Sequence, residues 1–249
     1  MRIAILGNGG FGTAMALTLE RAGHAVSLWG HDAIYTASIA ASRQNPRYLS
    51  NVTLPDSIRV SSEAKSVLDR AAVILVAVPT QHIRAVLTGM GDTMPADVPV
   101  VSLAKGLEQS TGQRPSQIIA EVLGAPERAF VLSGPSHAEE IAHGKPTTVV
   151  VAGPGDDTLR YLQTALQTDR LSQQCPAWRR TVWRAEERHG ARRRNRRWPW
   201  LRRQRQGGDP VARAGRDAAL RIGLRRRFEH VLRPCRSRRP GRDGVFAAR

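Results

Sequence analysis

Two groups of residues in this chain have a type and spacing that could do chemistry. Gly7, Gly9 and Gly12 fall on the G-x-G-x-x-G interval, directly after the apolar run Ile3-Ala4-Ile5-Leu6. In that pattern the first glycine permits a tight turn, the second lets backbone approach a pyrophosphate, and the third lets a helix pack closely on its strand. The Ala- and Leu-rich stretch 13–22 follows as a helix, whose N-terminal amides and dipole favour phosphate. The chemistry is dinucleotide binding. The second group centres on lysine, which is scarce: only Lys65, Lys105 and Lys145 occur. Lys105 follows the apolar stretch 98–103, a buried strand. An ammonium at the carboxyl end of such a strand faces the ligand crevice, where it can hold an anion or polarise a carbonyl. The plainer alternative is a solvated loop lysine. Gly134-Pro135-Ser136, after a strand at 129–132, offers backbone N–H and a hydroxyl to phosphate or ribose oxygens.

The elements that must position these residues alternate between strand and helix. Residues 3–6 form a parallel strand buried on both faces. Ala25-Val26-Ser27-Leu28-Trp29 is the second strand, and Gly30-His31-Asp32 follows where an acidic residue often bonds the ribose 2′-OH and selects NAD. His31 could sit beside a 2′-phosphate, which allows NADP or dual use, or be a solvated loop residue. Asn45 to Leu49 is a polar, Pro-containing loop, 58–60 a short strand and 63–70 a helix. Residues 72–78 form a central strand ending in a break at Pro79-Thr80, on the edge where ligands collect in such sheets. A helix at 116–123, a last strand at 147–152 and an amphipathic helix at 156–167, capped by Asp156 or Asp157, complete the series. The expected fold is α/β, a doubly wound parallel sheet over residues 1–170.

Charge divides the chain. The formal net charge of +17 is carried by residues 171–249, which hold 24 Arg, no Lys and 6 acidic residues; the remainder is close to neutral. Cys175, Cys235 and four of the five tryptophans also lie in 171–249. Two cysteines so far apart make neither a disulfide framework nor a metal site. The longest apolar run, 71–79, is too short to cross a bilayer, and Arg2 leads straight into a strand rather than a secretory leader. The expected location is the cytoplasm, with no membrane partner and no metal.

Taken together, these stretches resemble the bacterial-type NAD(P)-dependent glycerol-3-phosphate dehydrogenases. The matching motifs are G-N-G-G-F-G-T-A from Gly7, N-P-R-Y-L from Asn45, A-V-P from Ala77, A-K-G-L-E from Ala104 and S-G-P-S-x-A from Ser133. The resemblance covers residues 1 to about 170; His137 stands where the family usually carries phenylalanine. It implies NAD or NADP as cofactor, and reduction of dihydroxyacetone phosphate to glycerol 3-phosphate for phospholipid synthesis. Carried over by motif, Gly10, Phe11, His31, Tyr48 and Ala138 would line the cofactor site beside the glycine turn and Pro79. Lys105 would touch both cofactor and substrate, and Gly134 and Ser136 the phosphorylated substrate. The family also admits homodimers.

Residues 171–249 do not continue the resemblance. The family should proceed into a helical domain whose G-A-L-K-N stretch supplies the catalytic lysine, followed by G-D-N-A-K-A and G-L-A-G-x-G-D; none is present. With GC-rich codons, G-A-L-K-N read one base upstream gives Trp-Arg-Ala-Glu-Glu-Arg, the sequence from Trp183 to Arg188. The same offset turns G-D-N-A-K-A into the run from Arg202 to Gly207. It turns the third stretch into Leu232 to Arg236, then Arg238-Arg239-Pro240. The expectation is a frameshifted tail with no catalytic lysine, no second core and a composition favouring disorder. Two other readings remain open: a cofactor domain with a nucleic-acid-binding arm, arginines meeting phosphates and tryptophans stacking on bases, or another reductase such as a ketopantoate reductase. The frameshift reading leaves no specific nucleic-acid partner.

Overall fold

The computed structural model describes residues 1–134, 136–168 and 171–173, so the expectations for residues 174–249 lie outside the described residues. In chain order the elements are β1 (Arg2–Leu6), α1 (Gly10–Arg21), β2 (Ala25–Trp29), α2 (Ala33–Ser42), β3 (Gln44–Asn45), β4 (Leu49–Thr53), β5 (Arg59–Ser61), α3 (Ala64–Leu68) and β6 (Val73–Val76). There follow α4 (Thr80–Met90), β7 (Val100–Ser102), α5 (Pro115–Leu123), β8 (Ala129–Ser133), α6 (Ala138–Ala142), β9 (Thr147–Ala152), α7 (Asp156–Leu166) and β10 (Leu171–Gln173). The main sheet has the strand order β10-β9-β8-β7-β6-β1-β2-β5. Its chain path runs from β1 outward through β2 and β5, then returns to β6 on the other side of β1. The switch point therefore lies between β1 and β6, where open α/β sheets hold ligands.

Alternation along the strands builds two cores. Ile3 and Ile5 of β1 join Met15, Leu17 and Leu19 of α1, Phe130 of β8 and Leu162 of α7 on one face. Ala4 and Leu6 join Ile74, Val76, Ile83, Leu87 and Ile118 on the other, under α3, α4 and α5. Each such aliphatic side chain taken out of water contributes roughly 1.5–3 kcal/mol before entropy is charged against it. With both faces covered, the central strands β1 and β6 are buried almost end to end and read as apolar runs, as the sequence pattern indicates.

The α/β fold and mostly parallel sheet agree with the sequence expectation, but several particulars differ. β9 runs antiparallel to β8, pairing Val131 with Ala152 and Ser133 with Val150. The intervening chain contains only the five-residue α6 and lacks the longer crossover typical of a parallel neighbour. The sheet also extends past the expected boundary at residue 170, through β10 beside β9. Asn45 to Leu49 is not a plain loop: it is the turn of the antiparallel hairpin β3–β4. The N-cap of α7 is Gly155, with Asp156 and Asp157 in the first turn instead of capping it. Two helices carried no clear sequence signal as read. α2 buries only Thr36 and Ile39; its start is fixed by Asp32, whose side chain accepts from the Tyr35 amide at 3.0 Å. α4 buries Ile83, Leu87 and Met90, an i, i+4, i+7 stripe that follows the Pro79 break.

Candidate dinucleotide and substrate site

The glycine turn connects β1 to α1 and is shaped by two close approaches. Gly7 has φ +120°, and a Cβ there would lie 2.9 Å from the Ala77 carbonyl carbon. A methyl group on Gly12 would run into the carbonyl oxygen of Gly7, so the helix can sit against the turn only without a side chain there. Gly9 is different: a Cβ would meet nothing within 4 Å among the described residues. It would project into the cleft, occupying space that a pyrophosphate needs. No side chain among the described residues caps the first turn of α1. Its amides and positive dipole end therefore remain for an anion. These residues fit a dinucleotide.

The cleft has a volume of about 860 Å³. Gly7, Gly9, Gly10, Phe11, His31, Tyr48 and Pro79 all line it, so one cavity brings together seven of the proposed cofactor residues. Gly12 is buried behind the turn. Ala138 opens α6 opposite Gly10; a Cβ on Gly10 would come within 3.7 Å of the Ala138 methyl and 2.6 Å of the Tyr48 carbonyl oxygen. Sequence reasoning missed Asn8, Trp29, Ser62 and His82, which also line the cleft. The Trp29 indole donates to the Ser62 carbonyl at 2.9 Å. No carboxylate lines this cleft among the described residues. Asp32, the acidic residue nearest the end of β2, is turned into the cap of α2.

A buried polar network fixes the mouth. Asn8 donates from its side chain to the Thr36 hydroxyl at 3.1 Å, and Thr36 donates to the Asp32 carbonyl at 2.6 Å. Tyr35 donates to the Asn45 side-chain oxygen at 2.6 Å. Arg47 covers the rings of Tyr35 and Tyr48, its guanidinium carbon 5.6 and 5.2 Å from their centroids, while the two rings meet edge-on. The N-P-R-Y-L motif thus ties the hairpin to the glycine turn and presents Tyr48 to the cleft.

Lys105, Gly134 and Ser136 form a second cluster at the carboxyl ends of β7 and β8. The Lys105 ammonium donates to the Gly134 carbonyl at 3.0 Å, and the Ser136 hydroxyl donates to the same oxygen at 3.4 Å. Pro135, between them, lies outside the described residues. Gly134 has a packing reason of its own: a Cβ would fall 2.5 Å from the Thr148 carbonyl of β9. Lys105 reaches solvent, yet desolvation by its surroundings lowers its pKa from the ordinary lysine value. No described carboxylate lies within ion-pair distance of it. A cation so placed keeps charge and N–H groups available for an anion or a carbonyl oxygen.

Comparison with known proteins agrees with this geometry. Residues 2–158 match the family profile described as the NAD-dependent glycerol-3-phosphate dehydrogenase N-terminus. The glycerol-3-phosphate dehydrogenase [NAD(P)+] of Chlorobium phaeobacteroides is 42% identical over 170 residues, 68% of this chain and 51% of that protein. Its counterpart in Corynebacterium glutamicum is 41% identical over 165 residues, 66% of this chain and 50% of that one. The crystal structure of glycerol-3-phosphate dehydrogenase from Coxiella burnetii superposes with a TM-score of 0.64 at 32% identity, covering 69% of this chain and 52% of that chain. The chain thus spans about half the length of the curated relatives it matches. Through a glycine turn, a cleft and a profile match that coincide on the same residues, this chain belongs to the NAD(P)-dependent glycerol-3-phosphate dehydrogenase family by that family's N-terminal domain.

Proposed function

We propose that residues 1–170 are the cofactor-holding half of a glycerol-3-phosphate dehydrogenase that reduces dihydroxyacetone phosphate in the cytoplasm for phospholipid synthesis. The observation that carries this reading is Lys105, an ammonium with no described carboxylate partner, held at 3.0 Å against the Gly134 carbonyl on the same sheet edge as the dinucleotide cleft. A bound nicotinamide would supply hydride to the carbonyl carbon of the substrate. Gly7, Gly9 and Gly10 would admit the pyrophosphate to the amides of α1, with Phe11, His31, Tyr48, Pro79 and Ala138 around the rest of the dinucleotide. Lys105 would hold the phosphorylated substrate with Gly134 and Ser136, and its charge would draw electron density toward the carbonyl oxygen.

The proton for that oxygen is the missing part. In the family a lysine within G-A-L-K-N delivers it, and the arginine-rich sequence 171–249 contains no lysine. We read this segment as the helical domain translated out of frame, so the chain as written binds NADH or NADPH weakly and turns over negligibly. The test is a fluorescence titration of the purified chain with NADH and NADPH, with an assay of dihydroxyacetone phosphate reduction. Saturable cofactor binding without turnover is expected, and activity on restoring the reading frame after codon 170. A normal turnover rate in the unrepaired chain would refute the defect; no cofactor binding in either chain would refute the site. Sequence-selective nucleic-acid binding that disappears on deleting 171–249 would favour the basic-arm reading instead.

A further inference from the structure

One face of α4 borders the cofactor cleft through His82, Val86 and Gly89, while its first turns grip the loop that carries Lys105. Thr80 donates its hydroxyl to the Lys105 carbonyl at 3.1 Å. The Gln81 side chain donates to the Leu107 carbonyl at 2.8 Å and accepts from the Gln109 amide at 2.9 Å. One turn on, Arg84 forms a two-pronged pair with Glu108, both N–H to oxygen distances being 3.1 Å. Glu108 is only 5% exposed, and Thr111 donates to it at 2.5 Å. Glu121 takes the other side of the guanidinium at 3.0 Å.

So much polar material fixing one short loop needs a reason. The sheet does not provide one, because β7 ends at Ser102, before the loop begins. The chain turns at Gly106, φ +104°, a left-handed conformation directly after Lys105. A long side chain on a loop not tied to its neighbours would sample many rotamers and lose the Gly134 contact. A planar two-pronged arginine–carboxylate pair adds direction as well as attraction, which suits a fixed geometry better than a single contact would.

We propose that Arg84 and Glu108 are positioning residues for Lys105: their pair, with Gln81, locks the loop to α4 so that the ammonium stays against the Gly134 carbonyl and faces the substrate. This rests on the substrate role given to Lys105 above. The lowered pKa of Lys105 agrees with it, since desolvation requires the side chain to be held against protein.

The three lysines make the test direct. Reductive methylation of the full chain with 13C-formaldehyde gives a separate signal for each, assigned with Lys65→Arg and Lys145→Arg, and each titration midpoint is read by NMR. In the unaltered chain Lys105 titrates below the ordinary lysine value. In Glu108→Ala its midpoint rises toward that value. Glycerol 3-phosphate affinity falls about tenfold, as for loss of one ionic hydrogen bond, and NADH affinity changes less than about twofold. Glu108→Gln, which keeps an acceptor for Arg84, gives an intermediate result. Should Glu108→Ala fail to fold, Gln81→Ala loosens the same loop without uncovering a charge. A midpoint unmoved in a folded Glu108→Ala or Gln81→Ala variant overturns the proposal. A Lys105→Ala variant that binds glycerol 3-phosphate normally would refute the substrate role of Lys105 instead, while the midpoint comparison still decides the positioning.

Discussion

The side-chain amide of Asn45 donates at 2.8 Å to the carbonyl of Asn8 and at 2.8 Å to the hydroxyl of Thr13, joining the β3–β4 hairpin to the glycine turn. Asn45 is 1% exposed and Thr13 fully buried. Replacing Asn45 with Ala would remove the shorter of two hydrogen bonds to the Asn8 carbonyl, leaving only the Thr13 hydroxyl at 3.4 Å, and would take away the oxygen to which the Tyr35 hydroxyl donates. A loss of about 1–3 kcal/mol is expected. Urea unfolding measures it, and NADH affinity falls in parallel because Tyr48 loses its support. An unchanged unfolding midpoint would mean that the hairpin is held by something else.

Gly9 and Gly12 separate cofactor space from folding space. Gly12→Ala drives a methyl group into the Gly7 carbonyl and should cost on the order of 1–3 kcal/mol, the usual penalty of overpacking. Gly9→Ala meets nothing within 4 Å among the described residues, at an ordinary φ of −67°. It should leave thermal unfolding unchanged while weakening NADH binding tenfold or more. Equal destabilisation by both substitutions would contradict this division.

Lys105 sets function against stability. Its folded pKa is lowered by desolvation, so the folded state holds the proton less tightly than the unfolded chain does. The associated stability is complete only above about pH 10.5, the unfolded value, and is lost as pH falls through the folded pKa. At neutral pH the charge is a cost. Lys105→Met should therefore raise the thermal midpoint slightly at pH 7 while reducing glycerol 3-phosphate affinity at least tenfold. A lowered midpoint would show that the Gly134 contact outweighs desolvation.

His24 should make the protein acid-sensitive. Desolvation and the nearby N-terminal charge lower its pKa from 6.5, against a backbone hydrogen bond to Ala165 that raises it, and its buried Nδ1 has no partner among the described residues. The unfolded chain binds the proton more readily. His24 thus contributes stability present above about pH 6.5 and lost as pH falls from there toward the folded pKa. The drop in thermal midpoint between pH 7.5 and 5.5 should shrink in His24→Gln. An identical drop in both proteins would place the acid sensitivity elsewhere.

The sequence by itself determined seven of the main sheet's eight strands, the glycine turn and the residue types of both clusters. Buried parallel strands are written as unbroken apolar runs, and a Gly-rich turn leaves a local steric signature that needs no partner to be recognised. Only the tertiary structure decided where Asp32 and Glu108 point. A carboxylate after β2 could face a ribose or cap a helix, and it caps α2 because the Tyr35 amide, three residues on, lies within reach. Glu108 looked like part of a motif. Its partner, Arg84, lies 24 residues away and meets it only when α4 packs against the loop that follows β7. Polar side chains of this kind have no periodicity to betray them, because their roles depend on which distant donor the packing of the sheet brings alongside.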